Sequence, residues 1–204
     1  YLMEGWSVYK KLLAHRAAMG GDDGGAASPT ITYSFAAYPV AEWNLIYAVR
    51  SAAGVDLAQD WDYIAMMPNY VLWNWIPPGR EYGYGDVHHL TNRFIGGGWM
   101  HIHMSNIMNF YAETEPQWAG LAATAREKLG TDSDFLVPTA HLPYPLLWHN
   151  IGQAPDPLPY EKFDLPMARH FEAMGQIFMR SGAETDDPHA LFACGGLTGQ
   201  HRHY

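Results

Sequence analysis

Apolar residues recur at helical spacing from Tyr1 to Ala18: Leu2, Trp6, Tyr9, Leu12 and Leu13, with Lys10, Lys11, His15 and Arg16 between them. This spacing predicts an amphipathic helix. Gly20-Gly-Asp-Asp-Gly-Gly25 breaks it and, with Ala26 to Pro29, predicts a flexible loop. Thr30 to Tyr38 is aromatic and β-branched until Pro39 interrupts it. Periodicity resumes over Val40 to Ala53 through Val40, Trp43, Leu45, Ile46, Tyr47 and Val49. Pro39 at the first turn and Gly54 after the last are helix punctuation. Asp60 to Trp75 reads as a further helix, capped by Asp60 and stopped by Pro77-Pro78-Gly79. Arg80 to His89 is a polar connector, and Asp86 is placed to cap a helix starting near Val87. Beyond Gly96-Gly-Gly98, helices are expected over Trp99 to Tyr111, Gln117 to Leu129 and Phe135 to Trp148.

The pattern changes after Ala154-Pro-Asp-Pro-Leu-Pro159, a stiff proline-rich linker. Phe163 to Pro166, Ala173 to Arg180 and His189 to Cys194 are short apolar runs with turns between them, and they read as strands. Helices followed by strands indicate an α+β chain. The expected domains are 1–153, an incomplete (α/α) toroid of helical hairpins; 154–162, the linker; and 163–204, the first strands of an antiparallel β-sandwich. The toroid rests on helix pairs of about forty residues, since no sequence repeat is visible.

Composition narrows the function. The chain has 204 residues, 48% hydrophobic and 16% charged, enough for a sizeable core. Its formal net charge of −9 argues against nucleic acid, which needs a basic footprint. An acidic polymer would have to meet a local cluster of Arg, Lys and His. The 8 Trp, 13 Tyr and 8 Phe suit a carbohydrate cleft, but most are expected in a packed core. The single cysteine, Cys194, excludes an intrachain disulfide and reads as a small buried hydrophobe. No apolar run is long enough for a membrane span. The chain shows no signal-peptide pattern, opens at Tyr1 and reads as a piece of a longer protein.

Chemistry-bearing residues gather at Gly199-Gln-His201-Arg-His203-Tyr204. In an extended strand, i and i+2 share a face, so His201 and His203 would stand together and can bind a transition metal. His101 and His103 copy that spacing inside an expected helix, where they lie about 200° apart and cannot chelate one ion. Asp186-Asp187 with His189 reads as a solvated turn.

Met179-Arg-Ser-Gly182, Ala190-Leu-Phe-Ala-Cys-Gly-Gly196 and Gly199-Gln-His-Arg-His203 together resemble the sandwich entry of heparinase II/III-type polysaccharide lyases. They are also similar to dermatan sulfate epimerase. Pro77-Pro-Gly79 to Gly85-Asp86 resembles a turn of the same family. The resemblance implies a toroid before a sandwich, His201 at the active site and His203 on a structural divalent metal, zinc expected, whose other ligands lie outside this chain. The family's Glu-Gly-x-x-Tyr signature is similar to Glu4-Gly5, but Tyr9 falls one place late. Tyr33 or Tyr38, in Tyr33-Ser-Phe-Ala-Ala-Tyr38, is the preferred catalytic phenol, with Tyr9 kept beside them.

The implied reaction is β-elimination at a uronic acid, with alginate and glycosaminoglycans the leading substrates and a periplasmic or secreted location. A base takes the C5 proton, an acid protonates the departing O4, and the carboxylate charge is neutralised. A tyrosine suits the acid, or the base if cations lower its pKa; His201 is the other base. Arg80 or Arg202 would hold a sugar carboxylate. Glu4, Tyr82, Tyr84, His88 and His89 complete the expected substrate contacts. The rivals are a uronate C5-epimerase, a metal-dependent glycan hydrolase and a non-catalytic glycan-binding protein.

Overall fold

A computed structural model describes residues 2–21, 23–25, 38–77, 80–82, 97–129, 167–182, 184 and 186–194, and every structural statement below concerns these. Among them the chain is α+β: helices packed on a small antiparallel sheet of three strands.

Helix α1 spans Leu2–Gly20 and buries Leu13, with Trp6, Tyr9 and Ala17 packed against the core from the same side. It ends at Gly21, whose φ of 72° is left-handed and whose N–H donates to the Ala17 carbonyl. The following turn is not the flexible loop its glycines suggest. Asp23, Gly24 and Gly25 are buried, and Asn69 Nδ2 donates to the Asp23 carbonyl at 2.7 Å. Gly24 has φ 88° and lies so close to the Met66 carbonyl that a Cβ has no room. These glycines serve close packing rather than freedom.

Helix α2, Tyr38–Ala53, buries Trp43, Ile46 and Tyr47 and stops at Gly54, φ 68°. The expected helix over Asp60 to Trp75 is instead broken into three pieces. A 3₁₀ turn covers Ala58–Asp60, α3 covers Asp62–Ala65 and α4 covers Met67–Asn74. Trp61 interrupts the helical path with φ −132° and ψ 63°. The break is held from elsewhere: Tyr111 Oη donates to the carbonyls of Ala58 (2.7 Å) and Trp61 (3.2 Å). Asp60 makes no cap; Asp56 Oδ1 accepts from the Ala58 N–H instead. Pro68 sits in the first turn of α4, where its missing N–H costs nothing.

All eight residues of α4 are buried, which makes it the centre of the molecule. Trp75 leaves the helix for a short strand: β1 (Trp75–Ile76) pairs antiparallel with β2 (Arg80–Glu81), where a connector was expected. Helices α5 (Gly97–Tyr111) and α6 (Pro116–Leu129) form a hairpin. The small residues Ala119, Ala122, Ala123 and Ala125 on α6 are buried, allowing close helix approach.

Strands β3 (Ala168–Phe171), β4 (Gln176–Arg180) and β5 (His189–Ala193) are ordered β3-β4-β5. The expected strand over Ala173 to Arg180 starts only at Gln176, because residues 172–175 turn at Gly175, φ 61°. Register places Arg169, Phe178 and Leu191 in one row and Phe171, Gln176 and Ala193 in the next. This face meets the helices. Phe171 and Phe178 set their edges against the Tyr70 ring, and Tyr70 Oη donates to Gln176 Oε1 at 2.7 Å. Helices and sheet thus share one core. Met179 and Phe192, on the other face, are exposed. Cys194 is also exposed rather than buried, since it lies just past the end of β5.

Candidate functional site

A groove of about 520 Å³ runs between α1 and the segment that breaks around Trp61. Lys10, Leu13, Ala14 and Ala17 follow one stripe of α1, with Gly21 beyond it, and form one wall. Asp60, Trp61, Asp62, Tyr63 and Met66 form the other. The groove exists because Ala14, Ala17 and Gly21 carry almost no side chain. Its far wall is fixed because Tyr111 holds the backbone on either side of the Trp61 break.

Tyr9 stands beside this groove. Its ring lies 5.9 Å from the Trp61 ring and stacks at 6.4 Å on Trp6. Burial pushes its pKa up to about 12, against a smaller lowering pull from Arg16. Arg16, seven residues on, shares its helix face and forms an ion pair with Glu42 of α2. The same guanidinium acts on Tyr63, whose phenol burial also drives upward. Tyr63 is buried, and among the described residues its hydroxyl has no hydrogen-bond partner. One place therefore gathers two phenols, a guanidinium, a buried carboxylate and a groove. Both phenols are held in the protonated form at neutral pH.

Of the residues expected from sequence, Tyr9 is the one candidate catalytic group whose surroundings are described. Tyr38 begins α2, and Tyr33, His201, Arg202 and His203 lie outside the described residues, as do Tyr84, His88 and His89. Glu4 is exposed in the first turn of α1, and Arg80 stands in β2. Tyr82 packs its ring on Phe178 at 5.4 Å, and burial raises its pKa to about 12. It is a core contact of the sheet, beside Arg180, whose guanidinium lies 3.6 Å over the Trp73 ring.

No group of three His, Cys, Asp or Glu that could hold a metal occurs among the described residues. His103 is buried within α5, and its Nδ1 accepts from Trp43 Nε1 at 3.0 Å, which puts its own proton on Nε2. Asp187 accepts from the Glu184 N–H at 2.7 Å and closes a turn, as expected for Asp186-Asp187. His189 faces Arg180 across β4 and β5; burial and that cation lower its pKa.

Arg16, Glu42 and the Asp60–Tyr63 wall were not singled out by sequence. Arg16 carried a signal, its seven-residue spacing from Tyr9 on one helix. Glu42 carried another, as a lone acid among apolar positions of α2. Comparison with protein-family models, curated proteins and solved structures finds no match.

Proposed function

We propose that this chain belongs to a polysaccharide lyase that cleaves a uronic-acid polymer by β-elimination, acting in the periplasm or outside the cell. In this reading the helices are part of an (α/α) toroid and β3–β5 open a β-sandwich. The observation that carries it is Tyr9: a half-buried phenol, its pKa raised by burial, next to a groove and within reach of Arg16.

A protonated phenol can serve as a general acid. As the base removes the C5 proton, the electron pair forms the C4–C5 double bond and the bond to O4 breaks. Tyr9 gives its proton to O4. The base is then a group that titrates near neutrality, the role assigned to His201. Arg80 or Arg202 neutralises the sugar carboxylate. A structural divalent metal, taken as zinc, would be held through His203, and no step is assigned to it.

The test is ultraviolet absorbance of the unsaturated uronate, measured on the full-length protein with alginate, heparin, chondroitin and dermatan sulfate. At least one polymer yields the chromophore, and Tyr9→Phe lowers its rate by about 10²–10⁴-fold with the fold intact. Parallel Tyr33→Phe and Tyr38→Phe variants, measured in the same assay, decide which of the three phenols is the acid. Solvent deuterium incorporated at C5 without chain cleavage would make the protein an epimerase. New reducing ends without the chromophore, lost on chelation, would make it a hydrolase.

A further inference from the structure

Helices α2 and α5 are joined by a buried polar seam. Trp43, Tyr47 and Arg50 share one stripe of α2, and His103, Asn106 and Phe110 share one stripe of α5. Trp43 Nε1 donates to His103 Nδ1 at 3.0 Å, and Tyr47 Oη donates to Asn106 Oδ1 at 2.8 Å. The side chains of Trp43, Tyr47 and Arg50 all meet the Phe110 ring. His103 is wholly buried, and Trp43 nearly so. The preceding residue of α2, Glu42, turns the other way and pairs with Arg16 of α1. Adjacent residues of α2 therefore tie α5 to α1, and α1 is one wall of the groove.

The Trp43 bond sets a condition on charge. Nδ1 accepts only while the imidazole is neutral. Protonation turns an N–H of His103 against the indole N–H and places a cation where water does not reach. Among the described residues, the charged groups of α2 are engaged elsewhere, Glu42 with Arg16 and Arg50 over Phe110. Tyr47 is raised to about 12 and stays neutral in acid. The buried face of α6 holds alanines, Leu121 and Thr124, none of which titrates. The Ala58–Asp60 turn and the Trp61 break meet α5 at Tyr111, whose phenol burial drives upward. Asp60 and Asp62 there are exposed, and Tyr63 is a phenol that burial also drives upward. We infer that His103 is an acid-sensitive latch. Neutral, it holds α2 on α5 and keeps Glu42 on Arg16; protonated, it releases α2 and with it the α1 wall of the groove. An exposed histidine takes its proton near roughly pH 6.5, so below that point each pH unit favours the released form by about tenfold. The latch does not rest on the lyase reading.

The test is hydrogen–deuterium exchange by mass spectrometry on the full-length protein, from about pH 8 down to about pH 5, with each rate corrected for its intrinsic pH dependence. Opening of 38–53 and 2–20 rises about tenfold per unit below roughly pH 6.5, while 67–74 in α4 keeps its protection. H103N keeps an acceptor for Trp43 but takes no proton, and it removes the rise. His189 also resists protonation, but it acts between β4 and β5 and is unchanged in H103N, so the difference between the two proteins isolates His103. A rise that persists in H103N, an opening of 38–53 that leaves 2–20 protected, or a flat response in 38–53 overturns the inference. Where H103N does not fold, the unsubstituted protein decides alone. Acid opening of 2–20 and 38–53 ahead of 67–74 supports the latch, and loss of protection in all three at the same pH overturns it.

Discussion

The joint between helices and sheet rests on one buried hydrogen bond, and its loss is measurable. Tyr70 is wholly buried in α4, and its hydroxyl reaches Gln176 of β4, itself 1% exposed. Tyr70→Phe keeps the edge contacts with Phe171 and Phe178, at 5.1 and 6.0 Å, and deletes only the donor. It leaves Gln176 Oε1 without that donor where water does not reach. Such a buried acceptor costs about 1–3 kcal/mol. For a chain of this size, each kcal/mol moves Tm by about 2–4 °C. Gln176→Leu takes this acceptor from the phenol in turn and removes other contacts of the amide, so neither single variant isolates the pair. The double variant replaces both partners by apolar groups, and its loss falls short of the two single losses summed by about 1–2 kcal/mol. Urea unfolding followed by circular dichroism supplies all four corners of the cycle. Additive losses, a Tyr70→Phe effect below about 0.5 kcal/mol, or separate transitions for helices and strands would refute a shared core.

Alkaline stability follows from the buried phenols. Tyr9, Tyr47 and Tyr82 are each raised from 10.0 to about 12, chiefly by burial. Between these values the unfolded chain sheds protons that the folded chain keeps. The stability they contribute is complete below about pH 10 and drains as pH rises through 12; a urea midpoint that stays flat across that window contradicts it. Two left-handed glycines separate backbone strain from crowding. Gly54→Ala meets open space and costs only the left-handed penalty, about 1–2 kcal/mol, whereas Gly24→Ala adds a collision with the Met66 backbone and costs well beyond that. Equal thermal shifts for the two variants would show that the 20–25 turn does not pack as described.

The long helices were legible because their own residues decide them. Periodicity placed α1, α2, α5 and α6 within two residues or so of their observed ends. The stretch from Ala58 to Glu81 was not, because its course is set from a distance. Tyr111, fifty residues from Trp61, holds the carbonyls that interrupt the expected helix. The pairing of Trp75 with Glu81 needs only two residues a side, too few for any alternation to register. The Gly20–Gly25 run misled for a different reason. Glycine marks both freedom and close approach, and here Met66 and Asn69 show that it marks close approach. Aromatic richness was correctly weighted toward the core, where Trp43, Tyr70, Trp73 and Tyr111 all lie. Of the candidate site, sequence supplied Tyr9 but neither Arg16, for all its seven-residue spacing, nor Glu42, which reaches them only once α1 and α2 pack.

Glu42 bears on which catalytic role a phenol can take here. An arginine beside a tyrosine ordinarily favours the phenolate and would suit a base. Arg16, however, is paired with Glu42, a carboxylate almost wholly buried, so much of its charge is already offset where it would act on Tyr9. Burial then outweighs the remaining cationic pull, and the phenol rises rather than falls. The same holds for Tyr63 under the same guanidinium. Such surroundings disfavour the phenolate, so under the proposed reaction Tyr9 takes the part of the acid rather than of the base. In the proposed reaction it needs an independent base, since the proton taken at C5 and the proton given to O4 cannot both be handled by a tyrosine that stays protonated. The proposed reaction assigns that base to His201. Under the proposed reaction, Arg16 and Glu42 would act as positioning residues for Tyr9, their pairing setting which way the phenol's proton moves.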